Sequence, residues 1–293
     1  MDLDQARCLV LSRAGAKHKL HQLLMVPRQQ RSWDLAISHY DELPASQTRE
    51  VDYLHAYKGG KWDGVYQFFQ DHPETIANYE YFWLVDDDIE TSAKDVDTLF
   101  STMVSEGFQL AQPALSHDSY HSYLITVACS KFQFRYTNFV ELMMPVLSRE
   151  VLIKALPLFK GNRSGRGIDW VWYLFTENWH KNVAIIDAVT VAHRRPLRVH
   201  LHSRMREEGV CPDSEKAINT AHLQTARFAP MAIAGRLQQD GGLVTGRWRM
   251  LYHMGSFYLS VRRKLTATPA NLSFFFELLV GQAFFGRKHP RIS

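Results

Sequence analysis

The stretch Tyr-Phe-Trp-Leu-Val-Asp-Asp-Asp-Ile-Glu, residues 81 to 90, constrains this chain most, because an apolar run stops abruptly at three consecutive aspartates. A run so short and so apolar reads as a buried strand. Its carboxylates then emerge at the carboxyl end of a sheet, where open α/β folds bind ligands. Along an extended strand Asp86 and Asp88 point one way and Asp87 the other. Carboxylates this close repel one another unless a cation or a basic group compensates them. Hard oxygen donors suit Mn2+ or Mg2+, ions that also ligate phosphate oxygens. A solvated acidic turn that caps the next helix would use the same residues.

The rest of the pattern agrees with an α/β sheet. Cys8 to Ser12 and Trp33 to His39 read as buried strands, the second closed by Tyr40 and Asp41. Lys58 to Gly64 is turn-forming, and Val65 to Asn78 has helical spacing. Phe108 to Ala114 and Val140 to Leu147 read as strands, and Ser148 to Phe159 as a helix. The loop Gly161 to Gly167 leads into a helix expected from Asp169 to about His180, and Val183 to Ala192 is a strand ending at His193. Strands alternating with helices imply a mostly parallel sheet flanked by helices. The pattern weakens past residue 205, which predicts a catalytic domain over 1–205 and a mainly helical extension over 206–293 packed on it.

Composition excludes several classes. With 46% hydrophobic and 22% charged residues over 293 positions, the chain is neither disordered nor fibrous. Basic residues are not interleaved with aromatics on one expected face, so no nucleic acid partner is expected. Cys8, Cys129 and Cys211 are an odd number without close spacing, which argues against a disulfide framework. The opening Met-Asp-Leu-Asp-Gln lacks the basic start and apolar run of a signal peptide. The expectation is a cytoplasmic protein. Asn271 to Phe285 carries five phenylalanines between basic clusters. That segment is expected to pack on the domain, and a second reading lays it in a membrane interface at the inner face of the membrane.

Leu84-Val-Asp-Asp-Asp88, placed after an apolar strand, resembles the D-x-D motif of GT-A glycosyltransferases. Phe139-Val-Glu-Leu-Met-Met-Pro-Val-Leu-Ser-Arg149 and Gly167-Ile-Asp-Trp170 are similar to the family called domain of unknown function 707, whose members are regarded as GT-A-like. The resemblance covers about residues 8 to 195. It implies a GT-A-like, Rossmann-like fold and a nucleotide-sugar donor whose diphosphate is carried by Mn2+ or Mg2+ on Asp86 and Asp88. Transfer to a glycan or lipid-linked acceptor hydroxyl, with inversion, is the implied reaction. His193 resembles the late histidine that completes the metal shell in that family. Asp169 matches the acidic base at a helix start, although Ile168 stands where the family often has Glu.

Further site residues follow from the chain itself. Arg13 and Lys17 follow the first strand, where a cation can reach donor phosphates. The resemblance would place Tyr40 and Asp41 at the end of the second strand near the base or ribose of the donor, and Asp87 joins them as a donor-binding candidate. Glu141, flanked by Val140 and Leu142, must face a partner or a site and is a second catalytic candidate. Structural alternatives stand beside each: Asp169 as a helix cap, His193 as a hydrogen-bonded strand end, the basic residues as solvated surface. A nucleotidyltransferase of related architecture, or a non-catalytic carbohydrate-binding protein on the same fold, would share the aspartates. The first normally carries a glycine-rich phosphate loop, of which Ser12-Arg-Ala-Gly-Ala16 is a poor version.

Overall fold

The computed structural model describes residues 7–16, 20, 23, 26–196, 209–221, 230–265 and 280–282. Lys17 and most of Asn271 to Phe285 lie outside the described residues. Four parallel strands open the sheet: β1 (Cys8–Ala14), β2 (Trp33–His39), β3 (Tyr53–Ala56) and β4 (Tyr81–Asp86) stand in the order β3-β2-β1-β4. Alternate residues serve opposite faces, as extended backbone requires. Val10, Trp83 and Val85 join one buried cluster, while Leu9, Leu11, Phe82 and Leu84 join another. Helices cover both faces. On the second cluster lies α1 (Lys61–Asp71), through Trp62, Val65, Phe68 and Phe69. The helix expected from Val65 to Asn78 is instead two, because Pro73 interrupts it before α2 (Glu74–Asn78).

Past β4 come β5 (Ile89–Glu90) and α3 (Ala93–Glu106), which begins with a reciprocal Ser92–Asp95 capping box and ends on Gly107 in the left-handed conformation. The sheet continues through β6 (Leu110–Leu115), β7 (Phe132–Thr137), β8 (Val146–Ser148) and, after α4 (Arg149–Phe159) and α5 (Trp179–Asn182), β9 (Val183–His193). The α/β class is as expected. The sheet, however, is mixed rather than mostly parallel: β8 runs antiparallel to both β4 and β6, and β7 antiparallel to β9.

Two local expectations change for identifiable reasons. Val140 to Leu147 is a regular strand only from Val146: the Met143 and Pro145 carbonyls accept the N–H groups of Asp86 and Leu84 on β4, but Pro145 has no N–H to return, and side chains reach carbonyls of the segment as well. Trp172 Nε1 donates to Val140, Lys61 Nζ to Leu142 and Met143, and Trp83 Nε1 to Met144. The run after Asp169 forms 3-10 turns at Ile168–Trp170 and Trp172–Phe175 rather than a long helix. Its bulky aromatics lose rotamer freedom in an α-helix, and Trp172 and Tyr173 find burial in the core instead.

Beyond residue 205 the described residues combine helices with a strand pair. The helices are α6 (Pro212–Asn219) and α7 (Arg247–Val261), and the strands are β10 (Ala232–Leu237) and β11 (Leu243–Thr245), which extend the central sheet from β7. Asp240-Gly241-Gly242 makes a hairpin between them, with Gly241 at φ 68°. A connection that short forces antiparallel pairing. Within the sheet an ion pair ties β7 to β9: Arg135 on β7 meets Asp187 through Nε at 2.7 Å and Nη2 at 2.8 Å, with both side chains fully buried. Asp187 stands where β9 slips register against Pro113 of β6.

Candidate functional site

The site gathers at the carboxyl edge of β1, β2 and β4. The three aspartates do three different things there. Asp86 ends β4 and pairs with Lys61 Nζ at 2.7 Å. Burial, with Asp88 and Asp87 nearby, lifts its carboxyl above the usual range against the pull of Lys61. Asp87 is buried and accepts hydrogen bonds from Gly15 N–H at 3.1 Å and Tyr40 O–H at 3.2 Å. It therefore binds together the chain ends of β1, β2 and β4, and Tyr40 is its partner. Asp88 meets His193 Nε2 at 3.4 Å and Arg195 Nη1 at 3.3 Å. Burial opposes ionisation of Asp88, but the His193 hydrogen bond and the charges of His193 and Arg195 outweigh it and hold its carboxyl below the usual range.

The meeting of Asp88 with His193 is built by β5, whose Ile89 pairs with His193 in antiparallel register. A two-residue ladder thus closes a separation of about a hundred positions in the sequence. The imidazole is fixed from behind, since Nδ1 lies 3.1 Å from the Tyr120 carbonyl oxygen. Nδ1 must carry a proton to meet a carbonyl. The Nε2 lone pair would then face the Asp88 carboxylate, an arrangement stable only with a positive charge at Nε2 or between the two. Burial opposes that charge, but Asp88 wins and raises the imidazole pKa. Asp88 and His193 thus face each other, and each feels the charge of Asp86. Among the described residues no three His, Cys, Asp or Glu side chains form a ready cage. An ion such as Mg2+ commonly needs only one or two carboxylates when phosphate oxygens supply the rest.

Glu141 and Asp169 make the second half of the site. Glu141 sits in the irregular 138–145 segment, buried, with its backbone N–H on Gln112 Oε1 at 2.6 Å. Ser122 bonds its carboxyl, yet Oε2 has no hydrogen-bond partner among the described residues. Burial first, then the charge of Asp169, pushes Glu141 up to about 8. Asp169 follows Gly167, whose φ of 94° turns the chain, and is likewise buried with Oδ1 unpartnered. Burial pushes it up to about 7 against the N–H groups of Gly167 and Asp169. Tyr123 feels both carboxyls, and Glu141 also feels His193 and Asp86. The two halves are therefore one electrostatic neighbourhood.

This environment sets a pH prediction. Unfolded glutamate titrates near 4.5, whereas Glu141 in the metal-free fold titrates near 8, so the folded chain holds that proton more tightly. Its contribution to stability is full below about pH 4.5 and is lost as pH rises through 8. Glu141→Gln should therefore flatten the fall in stability between pH 5 and 8 and stabilise at pH 8 by on the order of 1–3 kcal/mol. Urea titrations in EDTA across that range check it; an unchanged slope refutes it.

Other expected residues are placed differently. Arg13 is buried and spent inside the protein: Nη1 donates to the Ser38 carbonyl and hydroxyl, Nη2 to the Tyr57 and Gly59 carbonyls. Its guanidinium lies over the rings of Tyr40 and Tyr57. Both of its terminal nitrogens are thus engaged by acceptors within the protein. Asp41 is exposed beside Tyr40. Lys61, Arg195, Gln112 and Ser122 were not foreseen. Lys61 was hidden in a segment read as a turn, and an isolated lysine carries no spacing signal.

A family model described as "Protein of unknown function (DUF707)" matches residues 5–229. No curated protein matches the sequence. Solved structures that resemble it include S. aureus TarS 1–349 in complex with UDP-GlcNAc, with TM-score 0.44, 10% identity, and coverage of 68% of this chain and 61% of that one. The chain thus spans about three-fifths of that TarS structure. Another is glucosyl-3-phosphoglycerate synthase from Mycobacterium tuberculosis in complex with Mn2+, UDP-glucose and phosphoglyceric acid, with TM-score 0.44, 10% identity, and coverage of 78% and 86%.

Proposed function

We propose, starting from the fact that the chain belongs to the DUF707 family of proteins of unknown function, that it transfers a glycosyl group from a nucleotide-sugar donor to an acceptor hydroxyl. One observation carries the reading. Two buried carboxyls, each with an unpartnered oxygen and held near 7 and 8, stand in the same neighbourhood as Asp86 on Lys61 and Asp88 on His193. Carboxyls held near neutral pH are poised for proton transfer. Structural carboxyls in a core would have both oxygens satisfied.

In this reading Asp86 and Asp88, joined by His193, would hold Mn2+ or Mg2+, which neutralises the charge of a diphosphate leaving group. Lys61, already on Asp86, adds a fixed positive charge at the same edge. The unpartnered Asp169 Oδ1 accepts the proton of the acceptor hydroxyl, and Glu141 orients that hydroxyl through its own free oxygen. This assignment implies inversion at the anomeric carbon. A nucleotidyltransferase fits less well, because the N–H of Gly15 after β1 is already given to Asp87.

The test is binding. Without a cation the aspartates repel a diphosphate, so UDP, GDP or CDP should bind measurably in Mn2+ and at least tenfold more weakly in EDTA. Calorimetry with equal affinity in both would overturn the cation's role, and no binding of any nucleotide diphosphate would overturn the donor class.

A further inference from the structure

We infer that the outer face of α7 (Arg247–Val261), with the basic turn that follows it, docks on an anionic lipid bilayer. The helix packs one side on β10 and β11 through Met250, Met254, Phe257 and Tyr258. The opposite side carries Trp248, Tyr252 and Leu259, which are 58%, 71% and 51% exposed. Their spacing of four and seven puts them along one stripe. Exposed large apolar side chains scattered singly need no explanation, but three in one stripe on one helix do.

Charge says what covers them. Arg247 and Arg249 flank the stripe at one end, and Arg262, Arg263 and Lys264 at the other, while the sequence from Gly241 to Leu265 holds no Asp or Glu. Burial and the charges of Lys131 and Arg249 together hold the His253 imidazole below its ordinary value, as a positive field would. Tryptophan and tyrosine with surrounding arginines match the interfacial region of a bilayer. There the rings sit among headgroups and the guanidinium groups meet lipid phosphate. A second copy of the chain would bring five cations against five. A helix of 15 residues lies on the surface; no helix among the described residues is long and apolar enough to cross a membrane. The inference does not depend on the reading of the candidate site.

The experiment is co-sedimentation with phosphatidylcholine vesicles with and without phosphatidylglycerol, alongside Trp248 emission. The wild type should bind the anionic vesicles, shift its emission to the blue, and release at high salt. Arg249→Glu with Arg262→Glu and Arg263→Glu should weaken binding roughly a hundredfold, at about fivefold per basic residue. Trp248→Ala with Tyr252→Ala should weaken it at least tenfold while leaving the melting temperature unchanged, since both residues are exposed. Four results would overturn the inference: no binding at low salt, equal binding by the variants, a fall in melting temperature that marks the stripe as covered by protein, or equally tight binding to duplex DNA.

Discussion

Asp169→Asn is expected to lower glycosyl transfer by a factor on the order of a hundred or more, the usual scale for a positioned base. Its melting temperature and its Mn2+-dependent binding of nucleotide diphosphate should stay near those of the wild type. The reasoning separates two roles. The Asp169 carboxyl accepts hydrogen bonds from Gly167 and from its own backbone N–H. An amide oxygen accepts those bonds about as well, but an amide cannot take a proton. The unpartnered Oδ1 is where the two residues differ. Steady-state transfer, measured with the donor identified by binding, together with a thermal melt, decides the matter. Transfer within a few-fold of wild type would make Asp169 a turn-stabilising residue and move the base to Glu141. The wild-type pH profile should agree: activity rises as Asp169 ionises near 7, so an acid limb close to neutrality should vanish in the variant.

Asp187→Ala should be the most damaging single change to the fold, at about 3–5 kcal/mol. It strands the Arg135 guanidinium, which is 0% exposed, in the core. The same carboxylate accepts the Cys129 backbone N–H at 2.8 Å, so a second buried donor loses its partner. Arg135 also reaches the Tyr258 hydroxyl of α7 at 3.1 Å, and loosening it weakens the attachment of that helix. Urea denaturation gives the loss directly. Pairing the change with Arg135→Met should recover much of it, because an apolar pair leaves no unpaired charge. A double variant less stable than Asp187→Ala would show that the rest of the network, and not the stranded charge, carries the effect.

The first half of the fold was readable because its strands are short and wholly apolar and its helices amphipathic. Cys8–Ala14, Trp33–His39 and Tyr81–Asp86 stand close to the expected places. Val140 to Leu147 misled because an apolar run says that a segment is buried, not where its backbone hydrogen bonds go. Here side-chain donors take the Val140, Leu142 and Met144 carbonyls, while the Met143 and Pro145 carbonyls accept from β4. The hairpin of β10 and β11 was missed although Asp240-Gly241 is a hairpin signal, since neither strand has clean alternation.

For the candidate site, residue type and local position single out Asp86, Asp88 and Glu141, each a charge at the end of an apolar strand or amid apolar neighbours, whereas Asp169 and His193 stand out through the family resemblance. What each one does was decided by contacts distant in the chain. Asp87 became a structural tie because the ends of β1 and β2 deliver Gly15 and Tyr40 to it. Arg13 turned inward because four acceptors, two on Ser38 of β2 and two from the chain after β3, surround it. Lys61 acquired its meaning only when α1 brought its ammonium to Asp86. Sequence alone determined which segments had to be buried and which charges were out of place there, because burial is a property of composition and period. Only the tertiary structure decided which of those charges compensate one another and which keep a free oxygen, because electrostatic pairing depends on distance in space and not along the chain.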